Sequence, residues 1–137
     1  MQEDILNKTI NQLEGNKKTK RPDFNSYPVQ KSYELMDKKL KFFEPEDLRL
    51  MIGQNFGLKY LMPIAISVLK ETPLIEANFY EGDLLFVVLN ADKQFWDDHP
   101  ELKSEVIQLF VKDLIDYDLL SDTIKRKIYS AYEELTD

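Results

Sequence analysis

The 137-residue chain contains no cysteine, one histidine, four glycines and no long apolar run. Without cysteine it cannot form a disulfide, a thiolate zinc site or a cysteine nucleophile. The single histidine, His99, would leave any histidine-based metal site dependent on carboxylate co-ligands alone. The longest dense apolar stretch, residues 58–69, is too short to span a bilayer, and the polar first 20 residues do not resemble a signal peptide. We therefore expect a cytoplasmic protein with no membrane partner, no cofactor and no metal.

Basic residues are scarce in the second half of the chain, which carries most of the net charge of −7. Residues 1–75 contain 12 Lys/Arg and 10 Asp/Glu, whereas residues 76–137 contain 6 and 15. An acidic C-terminal half repels phosphate backbones, so we expect no nucleic-acid partner. The same charge either steers association with a basic protein or only keeps the chain soluble. The basic segment at 16–21 reads as a loop, either a patch for an acidic partner or a solvated connection.

Apolar residues recur at intervals of three and four, and this spacing predicts an all-α fold. We predict a compact single domain over residues 1–137, with about six to eight short helices around a buried central helix at about 58–70. Gly53 and Gly57 lie too close together for one helix interior, so they predict a joint between two helices. Pro63 predicts a kink within the central helix.

Several local patterns predict how the remaining segments begin and end. Thr72 before Pro73 predicts a short helix to about residue 78. Asp83 predicts a cap for a helix over 84–91, although "LLFVVLNA" is also compatible with a buried strand. Asp98 with Glu101 resembles a capping box, and helices are expected at 100–116 and 121–135. Arg49 lies among apolar neighbours, so it should pair with Asp47, Glu46 or free carbonyls at a helix end.

The chain lacks a recognisable catalytic set. Asp97 and Asp98 are adjacent, and adjacent helical residues do not share a face, so they make a poor acid/base pair. The segment "GQNFG" has neither the Lys-Ser/Thr of a phosphate-binding loop nor a preceding strand. We expect a protein that is not an enzyme and has no catalytic, cofactor-binding or metal-binding residue.

Four sequence blocks in fixed order resemble the immunity proteins of contact-dependent growth inhibition (CDI) systems. They are "TINQLEG" (9–15), "DLRLMIGQNFGLKYLMPIAISVLKETPL" (47–74), "YEGDLLFVVL" (80–89) and "FWDDHPEL" (95–102). The resemblance covers about residues 5–103 and leaves 104–137 as an additional helical pair. It implies an all-helical cytoplasmic protein that binds and neutralises a cognate toxin domain. The recurrent motif residues are expected to be scaffold: Arg49, Gly53, Gln54, Gly57, Pro63, Gly82 and Asp83.

From these observations we predict a stoichiometric toxin inhibitor, expected to be monomeric, that covers the toxin's active site with an acidic and aromatic face. A basic nuclease is one toxin that such a face would fit. The predicted partner-binding residues are Glu76, Tyr80, Glu81, Trp96, Asp97, Asp98, Glu101, Asp116, Tyr117, Asp118 and Asp122. The alternative is a non-enzymatic helical adaptor that binds a partner protein or peptide in a hydrophobic groove near Pro63.

Overall fold

The computed structural model describes residues 2–15, 26–112 and 117–137. These residues form nine α-helices, one 3₁₀ helix and a single isolated antiparallel bridge, with no strand among them. The all-α prediction is confirmed. The helices are α1 (Gln2–Leu6), α2 (Ile10–Glu14), α3 (Tyr27–Leu35), the 3₁₀ helix (Leu40–Phe42), α4 (Pro45–Gly53), α5 (Leu58–Glu71), α6 (Asp83–Leu89), α7 (Lys93–Asp98), α8 (Pro100–Lys112) and α9 (Asp122–Thr136). The basic segment at 16–21 lies outside the described residues.

Helix α5 is the centre of the molecule, as the sequence predicts for 58–70. It packs against α4, α6 and α8, and α6 in turn packs against α4 and α9. Leu61, Met62 and Ala65 on one face are fully buried, and burial of each large side chain stabilises the fold by about 1.5–3 kcal/mol. The opposite face, at Tyr60, is only half-buried. The apolar surface of α5 is therefore completely covered on one side only.

The joint between α4 and α5 follows from two glycines, as predicted. Helix α4 ends at Gly53, and α5 begins after Gly57, whose φ of 63° is left-handed. Asn55 also has a positive φ, of 59°. A Cβ atom added to Gly57 would lie 2.7 Å from Cδ1 of Ile10. The joint thus needs glycine both for its backbone conformation and for the close approach of α2.

The helix predicted from Thr72 to about residue 78 is wrong. Residues 72–82 form an irregular segment with the bridge between Glu76 and Glu81, and we call it the 72–82 loop. The loop closes on itself because the Gly82 N–H lies within hydrogen-bond distance of the carbonyls of Leu74 and Ile75, 3.2 and 3.3 Å away. The helical alternative for the segment after this loop is confirmed by α6.

The C-terminal part packs through aromatic rings. The ring centroid of Phe110 lies 5.2 Å from that of Tyr117 and 4.2 Å from that of Tyr132. The buried hydroxyl of Tyr132 donates to the carbonyl of Val106 at 3.1 Å. Ser121 caps α9, as predicted, with its Oγ accepting the N–H of Ile124. Within the described ranges, no helix is long and apolar enough to cross a membrane.

Candidate functional site

The predicted partner-binding residues differ in exposure. Seven acidic side chains are exposed, and Tyr80 is half-buried. Asp116 lies outside the described residues. The exposed acids are Glu76, Glu81, Asp97, Asp98, Glu101, Asp118 and Asp122.

Trp96 and Tyr117 do not fit the predicted role of exposed anchors. Trp96 is 2% exposed and Tyr117 is completely buried. Trp96 packs edge-on against Phe95, with ring centroids 5.2 Å apart, and Tyr117 stacks on Phe110. Both rings belong to the hydrophobic core, so a partner cannot contact them unless the fold opens. The burial of these two rings was not predicted, because residue type and neighbouring acids do not reveal which face of a short helix is turned inward.

We divide the exposed acids into a first group, Glu76, Glu81, Asp118 and Asp122, and a second group, Asp97, Asp98 and Glu101. One acid of each group borders a cavity, Glu81 in the first and Asp97 in the second. One shallow cavity, of about 280 Å³, is bordered by Glu71, Thr72, Pro73, Leu74, Glu81, Leu119 and Leu120. A second cavity, of about 290 Å³, includes Trp96, Asp97, Lys103, Glu134 and Asp137 in its lining. No lining residue is common to the two cavities. Glu81 and Asp97 therefore border different cavities, and we describe the two groups as two acidic surfaces.

The loop that carries Glu76 and Glu81 is held in place by the buried carboxylate of Asp83. This side chain is 0% exposed. Its Oδ1 accepts the N–H of Ala77 at 2.7 Å, and its Oδ2 accepts the N–H groups of Asn78 and Phe79 at 3.0 and 2.8 Å. These three bonds satisfy backbone donors that a helix would have satisfied internally. Asp83 is consequently the first residue of α6 and the anchor of the loop before it, rather than the predicted cap; Gly82 occupies the cap position.

Arg49 completes this arrangement with a partner that the sequence analysis did not identify. Its Nε lies 3.5 Å from Oδ2 of Asp83, an ion-pair contact rather than a well-formed hydrogen bond. Its guanidinium lies 4.3 Å from the ring centroid of Phe79, and a cation over an aromatic face is stabilising. Asp47, one of the predicted partners, instead binds Lys38 at 2.7 Å. The "LRLMIG" and "YEGDLL" blocks thus meet at one ion pair.

Phe79 and Leu119 are the exposed apolar residues of this region, and the sequence analysis did not select either. Phe79 is 65% exposed and Leu119 is 80% exposed. The pair Leu119-Leu120, between Asp118 and the Ser121 cap, could have identified Leu119. Because two consecutive residues rarely share a face, one of the two leucines is expected to be exposed.

Tyr80 and Asp118 are among the titratable groups whose pKa values are shifted. Burial raises the pKa of the Tyr80 phenol; the Asp83 carboxylate raises it further, and the Arg49 guanidinium opposes this. The hydroxyl of Tyr129 donates to Asp118 at 2.6 Å, and the Lys125 ammonium lies 3.0 Å from the same oxygen. These two contacts lower the pKa of the Asp118 carboxyl, so Asp118 remains ionised at neutral pH.

The second group lies where α7 meets α8. Asp98 is the last residue of α7 and accepts a hydrogen bond from the Gln94 side chain at 3.0 Å, so the predicted capping box with Glu101 is wrong. His99 stacks on Phe95, and its Nδ1 lies 2.9 Å from the Phe95 carbonyl. Among the residues that the structure describes, no group of three or more His, Cys, Asp or Glu is arranged to hold a metal ion.

An apolar groove lies on the half-buried face of α5, next to α1. Its volume is about 430 Å³. Ile5 at its edge is 39% exposed, and Pro63 lies on its floor within a helix that continues through it. The alternative hypothesis of a hydrophobic groove near Pro63 therefore has a physical counterpart. The groove is lined by Ile5, Leu6, Lys59, Tyr60, Pro63, Ile64, Ser67 and Val68.

Comparison with known proteins identifies the family. Neither the curated proteins nor the solved structures gave a match. The sequence profile of the CDI immunity proteins matches residues 12–106, a span that includes Arg49, Asp83 and the 72–82 loop. Because this match extends over more than half of the chain, the protein belongs to the family of CDI immunity proteins.

Proposed function

We propose that this chain binds the toxin domain of its cognate CDI system and neutralises it, protecting the cell that produces both. The observation that carries the proposal is the family match over residues 12–106. Inhibition requires binding alone, so we assign the chain no catalytic step. It would act in the cytoplasm as a monomer, one chain for each toxin domain.

The charge distribution supports an electrostatic mode of inhibition. Residues 76–137 hold 15 acidic and 6 basic residues. A toxin that acts on nucleic acid must present a basic cleft to its substrate, and an acidic protein surface is complementary to such a cleft. Covering the cleft would exclude the substrate by volume and by charge. A basic nuclease domain is therefore the toxin class that this surface fits best.

Growth of cells that produce the toxin tests this proposal directly. The toxin domain encoded next to this chain is induced in a bacterial host with and without the chain, and a toxin domain from an unrelated CDI system serves as the specificity control. We expect growth to be restored only with the cognate toxin, together with co-purification of a complex. Growth arrest in the presence of the chain, with no complex recovered, would reject the proposal.

The groove beside Pro63 favours a second candidate, an adaptor that binds an apolar segment of a partner protein. Its walls are mainly aliphatic and aromatic, so affinity would depend little on salt. Ile5→Glu introduces a charge at the exposed edge of this groove and tests the candidate. If this variant lost partner binding while Glu76→Lys with Glu81→Lys kept it, the adaptor interpretation would replace the electrostatic one.

A further inference from the structure

We infer that the toxin docks on the first of the two acidic surfaces and inserts basic side chains there; this inference rests on the proposed function. We define the acidic loop surface as Glu71, Glu76, Glu81 and Leu119. Glu71, Glu81 and Leu119 border the shallow cavity of about 280 Å³, and Glu76 lies opposite Glu81 in the antiparallel bridge.

The surface is formed by two stretches of chain without any basic residue. No Lys or Arg occurs between Lys70 and Lys93, and none occurs between Lys112 and Lys125. The fold brings these stretches together, because Glu71 and Glu81 from the first border the same cavity as Leu119 from the second. The lining of this cavity contains two glutamates and no Lys or Arg, and such a lining is complementary to a basic side chain of a partner.

Glu76 and Glu81 form a pair of like charges. They are opposite one another in the antiparallel bridge, where side chains on paired positions lie on the same side and like charges repel. Within the described residues, none of Glu71, Glu76 and Glu81 has an ion-pair partner. A lysine or arginine placed between Glu76 and Glu81 would remove the repulsion, so the complex gains an interaction that the free protein lacks.

Leu119 supplies the apolar centre that an acidic cluster alone would not have. It is 80% exposed, and it borders the cavity together with Pro73 and Leu74. An apolar residue surrounded by charged residues is the arrangement in which burial of the centre supplies affinity and the rim supplies specificity. The aliphatic stem of a partner Lys or Arg can pack on such a centre while its charged end reaches a glutamate.

The loop that carries Glu76 and Glu81 is fixed before the partner arrives. The Asp83 carboxylate holds the backbone N–H groups of residues 77–79, and Arg49 holds the carboxylate. A preformed loop loses little conformational entropy on binding. Arg49 and Asp83 are thus positioning residues for this surface and do not touch the partner.

The second acidic surface is less suited to the same partner. Its cavity is lined by Lys93 and Lys103 as well as by acids, so its charges partly cancel. Its one large aromatic side chain, Trp96, is already buried. We therefore expect this surface to contribute only long-range attraction.

Affinity for a catalytically inactive form of the cognate toxin domain, measured by calorimetry on the full chain, tests the inference. Glu76→Lys with Glu81→Lys should weaken binding by about 100-fold or more, because two attractive contacts become repulsive. Leu119→Ser should weaken it by about 10-fold or more. The matched controls are Asp97→Lys with Asp98→Lys, and Val111→Ser, whose aliphatic side chain is 71% exposed but does not border this cavity. Both controls should stay within about 5-fold of the unsubstituted chain.

Three outcomes separate this inference from the proposed function. If the unsubstituted chain binds the toxin, but the Glu76/Glu81 and Leu119 variants retain its affinity, the location is wrong and the function stands. A loss confined to the Asp97/Asp98 variant would move the docking site to the second surface. If the unsubstituted chain neither binds nor protects, the proposed function itself fails. Circular dichroism confirms that each variant is folded before its affinity is interpreted.

Discussion

At the scale of single residues, Asp83 links two parts of the chain that are distant in sequence. Its carboxylate is fully buried, accepts three backbone N–H groups and lies beside the Arg49 guanidinium. A buried carboxylate is tolerated only where hydrogen bonds and a counter-charge offset its loss of hydration. The order of the 72–82 loop therefore depends on this one side chain.

Replacing Asp83 by Ala removes the acceptor of three N–H groups and leaves Arg49 without its counter-charge. We expect a loss of about 2–4 kcal/mol in the free energy of unfolding. Asp83→Asn, which keeps one acceptor oxygen, should cost less. Hydrogen exchange at the amides of Ala77, Asn78 and Phe79 should become faster in both variants. The exposed Asp97→Ala is the control and should change stability by less than about 0.5 kcal/mol; unchanged exchange in Asp83→Ala would contradict the assigned role.

Gly57 and Gly53 provide a matched pair at the joint. Gly57→Ala places a Cβ 2.7 Å from the Ile10 side chain at a φ of 63°, so we expect a loss of about 1–2 kcal/mol from backbone strain alone. Gly53 lies in α4, and an added Cβ would meet only Val87 at 3.7 Å. Gly53→Ala should be neutral or stabilising by up to about 1 kcal/mol. Urea denaturation measures both, and equal losses would mean that the two glycines serve the same purpose.

The sequence predicted the joint but not the partner of Arg49, for a physical reason. The joint can be predicted locally, because each of the two glycines lowers helix stability at its own position in the chain. The contact of Arg49 with Asp83 depends on how α4 packs against α6, and no local spacing encodes that packing. The local candidates, Asp47 and Glu46, were plausible only because they were near in sequence.

At the scale of elements, helix α5 continues through a proline. Pro63 is the sixth residue of the helix Leu58–Glu71, and its side chain is exposed. It removes one N–H that would otherwise bond to the carbonyl of Lys59. The kink predicted there stays a prediction.

Pro63→Ala should raise the free energy of unfolding. Alanine restores the missing donor and has a helix propensity more favourable by about 3 kcal/mol, although near the helix start we expect a gain of about 1–2 kcal/mol. The thermal midpoint measures the change, with the exposed Ser67→Ala in the same helix as control. A lower midpoint for Pro63→Ala would show that packing of the proline ring in the groove outweighs the lost hydrogen bond.

Element prediction succeeded where caps and periodicity agree and failed where they compete with a distant side chain. Ser121 caps α9 at the start of the helix predicted at 121–135, and α4 begins at Pro45. Thr72-Pro73 carries an equally good start signal, yet no helix follows, since Asp83 provides another set of acceptors for the N–H groups of the loop. The competing interaction is tertiary, so a local pattern cannot reveal it.

At the scale of the whole molecule, the charge asymmetry along the chain becomes two separate surfaces. Among the predicted acidic residues, Glu81 of the 72–82 loop borders one cavity and Asp97 of α7 borders another. Composition predicted an acidic face. It did not predict that the acids lie at two different cavities, or that Trp96 and Tyr117 are buried. Those depend on which residues the core covers.

The association rate constant between this chain and the cognate toxin domain, measured by stopped flow at increasing ionic strength, tests the central claim most directly. The Debye length falls from about 30 Å at 0.01 M salt to about 3 Å at 1 M, so an acidic surface that steers a basic toxin loses its long-range attraction over this range. We predict a decrease of the association rate constant by about 100-fold or more, with a much smaller change in the dissociation rate constant. An association rate constant that does not depend on salt would contradict the account.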